Sequence, residues 1–138
     1  MIKKQPKFRG YSLETNSWHY GHGWFEIDYT DEFKQQKCID DKACLYTEGY
    51  PVECELKSMG QFTGLKDKNG KEIYEGDIVR RSLTGSKFKV YYSESGACYR
   101  VQRQDGWHFN VNEIFPLDDW EIISNIYENP SLLEVSHE

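Results

Sequence analysis

The feature that most constrains this chain is the regular spacing of its turns between residues 65 and 127. Asn69-Gly70, Glu75-Gly76-Asp77, Thr84-Gly85-Ser86, Ser93–Gly96 and Gln104-Asp105-Gly106 interrupt short runs of β-branched and aromatic residues. Asn-Gly is the strongest short turn signal, because both residues reach left-handed backbone at little steric cost. The runs between the turns are Ile78–Leu83, Lys87–Tyr92, Ala97–Arg103 and Trp107–Val111. A last run, Trp120–Tyr127, is stopped by Asn129-Pro130. Turns this close together predict a small barrel or sandwich, and the strand lengths suit a small SH3-like barrel.

Composition agrees. The chain has 138 residues, enough for one domain with a smaller subdomain. It carries 21 aromatic residues and only two alanines, Ala43 and Ala97, which is poor helix material and good strand material. A helical bundle is excluded on that ground. Phe62, Tyr74, Phe88, Tyr92, Tyr99, Trp107 and Trp120 fall in or beside the strands and are expected to supply most of a small core.

The first part of the chain is less clearly written. Lys7–Ser12 reads as a strand, Glu14–Ser17 as a turn, and Trp18–Tyr29 as a returning strand bulged at Gly21 and Gly23. Residues 31–42 read as a loop or one helical turn. Ala43–Tyr46 and Val52–Lys57 read as short strands around Gly49-Tyr50-Pro51. The expected class is therefore mainly β, of the α+β kind. Residues 1–60 form a β-rich segment with a β-hairpin subdomain and an irregular insert. Residues 61–138 form the SH3-like barrel with a C-terminal tail.

Alternation assigns the faces of two neighbouring strands. If Phe88, Val90, Tyr99 and Val101 face the core, then Lys87, Lys89, Tyr91 and Arg100 share the outer face. That is a basic strip bearing an aromatic. It stands out because the net charge is −6. The charge is unevenly placed: residues 66–103 sum to +4, whereas residues 104–138 hold eight acidic groups and no Lys or Arg. The plain alternative is that the basic and acidic stretches fold against each other.

The four cysteines, Cys38, Cys44, Cys54 and Cys98, match neither a zinc spacing nor a redox motif. Met1 to Arg9 is basic and polar rather than an apolar signal region, and no apolar run is long enough to span a membrane. Both point to the cytoplasm, where four free thiols are the default. A bridge from Cys54 to Cys38 or Cys44 is the minor alternative.

Longer motifs add a resemblance. The stretch Gln61-Phe62-Thr63-Gly64-Leu65-Lys66-Asp67-Lys68-Asn69-Gly70-Lys71-Glu72-Ile73-Tyr74-Glu75-Gly76-Asp77-Ile78-Val79 resembles the signature of the YopX family of phage and prophage proteins. Lys7-Phe8-Arg9-Gly10-Tyr11 is similar to that family's opening, with Gly10-Tyr11 in place of the more usual Ala-Trp. Ile123-Ser124-Asn125-Ile126-Tyr127-Glu128-Asn129-Pro130 is similar to its ending, with Ser124 in place of a glycine. The resemblance implies a β-rich fold with an SH3-like barrel, and a place in the cytoplasm of a bacterial host. It implies no reaction. Physically, Asn69-Gly70, Gly76 and Asp77 read first as scaffold, with Leu65, Ile73 and Tyr74 packed beneath the turn.

Residues that could carry chemistry have bland readings beside the sharp ones. His19 and His22 could join a cysteine on a metal, but no full ligand set is visible. Cys98 and His108 could pair as nucleophile and base, but nothing orients the base. Asp118-Asp119 could hold a cation, although a solvated turn explains them. The sequence therefore predicts no catalytic residue, no metal and no cofactor. The first expectation is a non-enzymatic accessory protein acting through protein contacts as a homo-oligomer, with Leu132 and Leu133 as an oligomer contact if the tail projects. The alternative is a nucleic-acid-binding module that uses Lys87, Lys89, Tyr91 and Arg100. A host or phage protein is a further expected partner, and a membrane is not one.

Overall fold

The computed structural model describes residues 6–111 and 119–133 and divides the chain into two compact units, Met1–Phe62 and Thr63–Glu138. It is mainly β, with every strand pair antiparallel where register is defined.

In the first unit, β1 (Phe8–Ser12) and β2 (Ser17–Gly21) form a hairpin whose turn places Asn16 in left-handed backbone, φ 51°. The expected single strand Trp18–Tyr29 is in fact two. Its first half ends at Gly21, and β3 (Gly23–Glu26) joins a different sheet with β4 (Lys42–Tyr46) and β5 (Pro51–Glu55), in the order β3-β4-β5. Gly21 marks the crossing, where a Cβ would lie 2.1 Å from the Tyr46 carbonyl oxygen. The chain changes sheets there rather than bulging.

The insert is more ordered than its composition suggests. Asp31–Lys37 forms a seven-residue helix, α1. Thr30 caps it by accepting the Phe33 amide, and Cys38 ends it in left-handed backbone at φ 54°. Acidic residues in its first turn and basic residues in its last suit the helix dipole. Leu45, Val52 and Cys54 form the core of this unit, with Phe8 and Met59 packed against them. Beside that core, Lys42 and Glu55 face each other across β4 and β5 as a buried ion pair. All four cysteines are free.

The strand β6 (Gly60–Lys66) begins in the first unit, where Gly60 and Gln61 pair with β1, and continues into the second. Next along the chain come β7 (Glu72–Tyr74), β8 (Asp77–Arg81), β9 (Lys87–Ser93), β10 (Cys98–Arg103), β11 (His108–Asn110) and β12 (Trp120–Asn125). Five of them form a sheet in the order β11-β10-β9-β8-β12. It curls into a half-barrel, in keeping with an SH3-like barrel. The core on its inner side is Ile73, Val79, Phe88, Val90, Val101 and Trp120, flanked by Leu65, Phe109, Val111 and Ile122. The ring of Phe88 meets that of Trp120 edge-on at 4.6 Å.

Two aromatics expected in the core are outside it. Tyr92 is 43% exposed and Trp107 64%. The register explains Tyr92. β8 pairs with β9 only through Lys87–Lys89, so the far end of the β9–β10 hairpin runs past the barrel. Tyr92 there packs edge-on against Tyr99, 5.3 Å away. Trp107 sits at the tight turn before β11.

The long motif of residues 61–79 is held by side chains that bind backbone. Asp67 accepts the amides of Asn69 and Lys71 at 2.9 Å each through Oδ1, and that of Ile122 at 3.1 Å through Oδ2. Asp77 accepts the Tyr74 amide at 2.7 Å. Gly76, at φ 94°, donates to Val90 O and accepts from Ile126 N, both at 2.8 Å. The scaffold reading of these residues is the one their bonds support.

Candidate functional site

The outer face of β9, β10 and β11 gathers the basic strip. In the register, Arg100 lies opposite Tyr91 on one side and Asn110 on the other, and Gln102 lies between Lys89 and His108. Side chains directly opposite in antiparallel strands share a face. Lys89, Tyr91, Arg100, Gln102, His108 and Asn110 therefore form one surface, and alternation puts Lys87 on it too. Val90 and Val101, one residue along, point into the core. The sequence-predicted set is thus brought together. Gln102, His108 and Asn110 extend it, and the alternation of Phe109 and Val111 with His108 and Asn110 was the signal for two of them.

Tyr91 is fixed in place. Its hydroxyl and Nδ1 of His108 share a 2.6 Å hydrogen bond, and the two rings meet edge-on at 5.6 Å. The ammonium of Lys89 stands 5.8 Å from the Tyr91 ring centre. Arg100 is half-buried along the sheet, and its Nε is buried with no hydrogen-bond partner among the described residues. The thiol of Cys98 donates to Asn110 Oδ1 at 3.8 Å.

The electrostatics of this face differ from those of its surroundings. Four other cations of this unit are paired: Arg80 and Lys68 with Glu121, Arg81 with Asp119, Arg103 with Asp105. A side-chain hydrogen bond from Arg103 holds Asp105 below the usual carboxylate range, and the same bond raises Arg103. Lys87, Lys89 and Arg100 have no carboxylate partner among the described residues. Burial, then the charge of Glu75, raises the phenol of Tyr99 on the opposite face.

The other predicted residues have structural partners. Leu132 and Leu133 lie half-buried in a 3₁₀ turn, Pro130–Leu133, that packs on β9 rather than projecting. His19 Nε2 bonds Thr15 Oγ1 at 2.7 Å and His22 Nδ1 bonds the Pro6 carbonyl at 3.1 Å. Cys98 and His108 are not joined, since each is bonded to a different neighbour. Asp118 lies outside the described residues. Asp119 accepts from Arg81 and from the Leu83 amide, closing the loop after β8. No group of three or more His, Cys, Asp or Glu is arranged to hold a metal among the described residues. No helix among them is long and apolar enough to cross a membrane.

A second surface, in the first unit, was not legible in the sequence. Phe25 on β3 and Tyr46 on β4 share the outer face of the small sheet, with ring centres 5.8 Å apart and side chains about half exposed. Tyr50, in the β4–β5 loop, is 68% exposed. β3 is the edge of this sheet. Ile27 donates to Lys42 O, so by the antiparallel alternation the amides of Trp24 and Glu26 point to the open side.

Comparison with solved structures finds the protein EF1440 from Enterococcus faecalis, 23% identical over 96% of this chain and all of that one, with a TM-score of 0.49. No curated protein matches the chain. The family model for YopX protein matches residues 7–134, nearly the whole chain, and the chain belongs to the YopX family.

Proposed function

We propose that this chain is a non-enzymatic accessory protein of a phage or prophage, working in the cytoplasm of a bacterial host through protein contacts and assembling with copies of itself. The observation that carries the reading is the exposed aromatic pair Phe25 and Tyr46 beside the open edge of β3, with Tyr50 exposed in the β4–β5 loop. Exposed aromatics are over-represented where proteins meet, and an unpaired strand edge is a template for another strand. The tail residues Leu132 and Leu133 contribute less, because their turn already packs on β9. The non-enzymatic part is supported by Cys98 and His108, which bond different neighbours, Asn110 and Tyr91, rather than each other. It is also supported by Cys54, whose thiol is pushed up to about 11, first by burial.

Sedimentation velocity at increasing protein concentration tests the assembly. The expected result is a mass above that of the monomer, falling to the monomer in Phe25→Lys. The side chain at that position is half exposed, so the substitution leaves the core alone. A monomer at high micromolar concentration would sink the reading.

A further inference from the structure

We infer that the outer face of β9–β11 binds single-stranded nucleic acid. The inference rests on the second unit alone and is independent of self-assembly. Three features of the face point the same way.

First, its charge is unspent. Lys87, Lys89 and Arg100 lack carboxylate partners among the described residues, in a protein with 23 acidic residues. No Asp or Glu occupies this face on β9, β10 or β11. Lys87 and Lys89 are two residues apart on one strand, about 6.7 Å, and Arg100 lies on the next strand. The three make a short track of positive charge suited to a phosphate backbone. Arg100 also keeps a buried donor, Nε, with no acceptor among the described residues. A guanidinium suits a phosphate better than an ammonium does, because it can donate two parallel bonds.

Second, an aromatic ring lies among the charges and is held still. Tyr91 is fixed by its bond to His108 and sits directly across from Arg100. Rings beside a basic track are what unpaired bases stack on. A duplex offers no free base face to such a ring, which selects single strands.

Third, the border of the face is neutral and polar. Gln102 and Asn110 flank the cations in register. Their amides can donate to or accept from the edges of exposed bases. This composition differs from that of the exposed aromatic pair in the first unit, which has no comparable charge track.

The test is fluorescence anisotropy with labelled oligothymidylate and oligouridylate across a salt series. Neutralising three cations predicts that log affinity falls with log salt at a slope of about −2. Lys87→Ala/Lys89→Ala/Arg100→Ala is expected to flatten that slope. Lys66→Ala/Lys71→Ala, on the hairpin between β6 and β7, leaves it unchanged. Tyr91→Ala lowers affinity about tenfold without changing the slope, and Tyr91→Phe, which keeps the ring but loses the bond to His108, restores most of it. Circular dichroism of each variant checks that the sheet persists. Absence of binding at low salt overturns the inference. So does a slope that survives the triple substitution. Equal competition by heparin or duplex, with no effect of Tyr91→Ala, would make the face a general anion surface and overturns it as well.

Discussion

Asp67→Asn probes why the family motif contains a carboxylate at this position. The wild-type side chain closes the β6–β7 turn through Oδ1 and holds β12 through Oδ2. Asparagine can keep its oxygen toward Asn69 and Lys71. Its amide nitrogen then faces the Ile122 amide, donor against donor. The Asn69 and Lys71 amides lie in an exposed turn, where water can replace a lost bond, so each contributes about 0.5 kcal/mol. The Ile122 amide sits beside the buried Trp120, and its charged bond is worth about 2 kcal/mol. Asp67→Ala should therefore cost about 3 kcal/mol and Asp67→Asn about 2 kcal/mol, because the substitution keeps the turn but loses the clamp. Urea unfolding followed through tryptophan fluorescence gives the totals. Hydrogen exchange at Ile122 locates them, and that amide should lose protection in both variants. If Asp67→Asn is as stable as the parent, or Ile122 stays as protected, the clamp is not what fixes β12.

The first unit yields two further expected outcomes. Glu55→Gln removes the opposite charge beside the buried Lys42 and should cost about 3–5 kcal/mol in urea unfolding. Lys42→Met/Glu55→Leu should recover most of that, and additive losses in the double variant would refute the pairing. Cys54 has a folded thiol raised from 9.0 to about 11 by burial, then by Cys44, Glu53 and Glu55. Folding thus favours the protonated thiol. The stability tied to it is whole below pH 9 and is lost as pH rises through about 11. The urea midpoint of the parent should fall against that of Cys54→Ala across this window, and a constant difference between the two would refute it.

The barrel was legible because its turns are local chemistry. Asn69-Gly70 and Gly76 need only their own backbone to declare themselves, and the strands between them are set by alternation. The first unit was harder for a physical reason. Gly21 and Gly23 look alike in sequence, yet only Gly21 lies against a carbonyl from a strand 25 residues further on. α1 carries a cap and charges that suit a helix, but none of its residues is buried, so no apolar stripe announces it. The two departures from the motif also have local causes. At Gly10 a Cβ would lie 2.9 Å from Cys54 Cβ and 2.5 Å from Met59 Sδ, so alanine does not fit there. Ser124 offers a hydroxyl that accepts from Asn129 Nδ2 at 2.7 Å, a bond glycine could not make.

Net charge was the weakest guide to the candidate face, and the pairing pattern shows why. A charge of −6 with a run of acids after residue 103 suggests that those acids neutralise the basic stretch. Three of the four described acids of that run do so, with Lys68, Arg80, Arg81 and Arg103 of the basic stretch, while Glu128 accepts from Asn125, and none of them reaches Lys87, Lys89 or Arg100. Asp105 turns back on Arg103, Asp119 closes the loop with Arg81, and Glu121 lies across from Arg80 on β8. Asp105 takes a cation two residues away, Glu121 its cross-strand neighbour and Lys68, and Asp119 a cation one position out of register. Lys89 and Arg100 have Gln102, Tyr91 and Asn110 in those neighbouring positions instead. A surface salt bridge needs its partner within about 4 Å, so register, and not overall balance, decides which cations stay available to an anion.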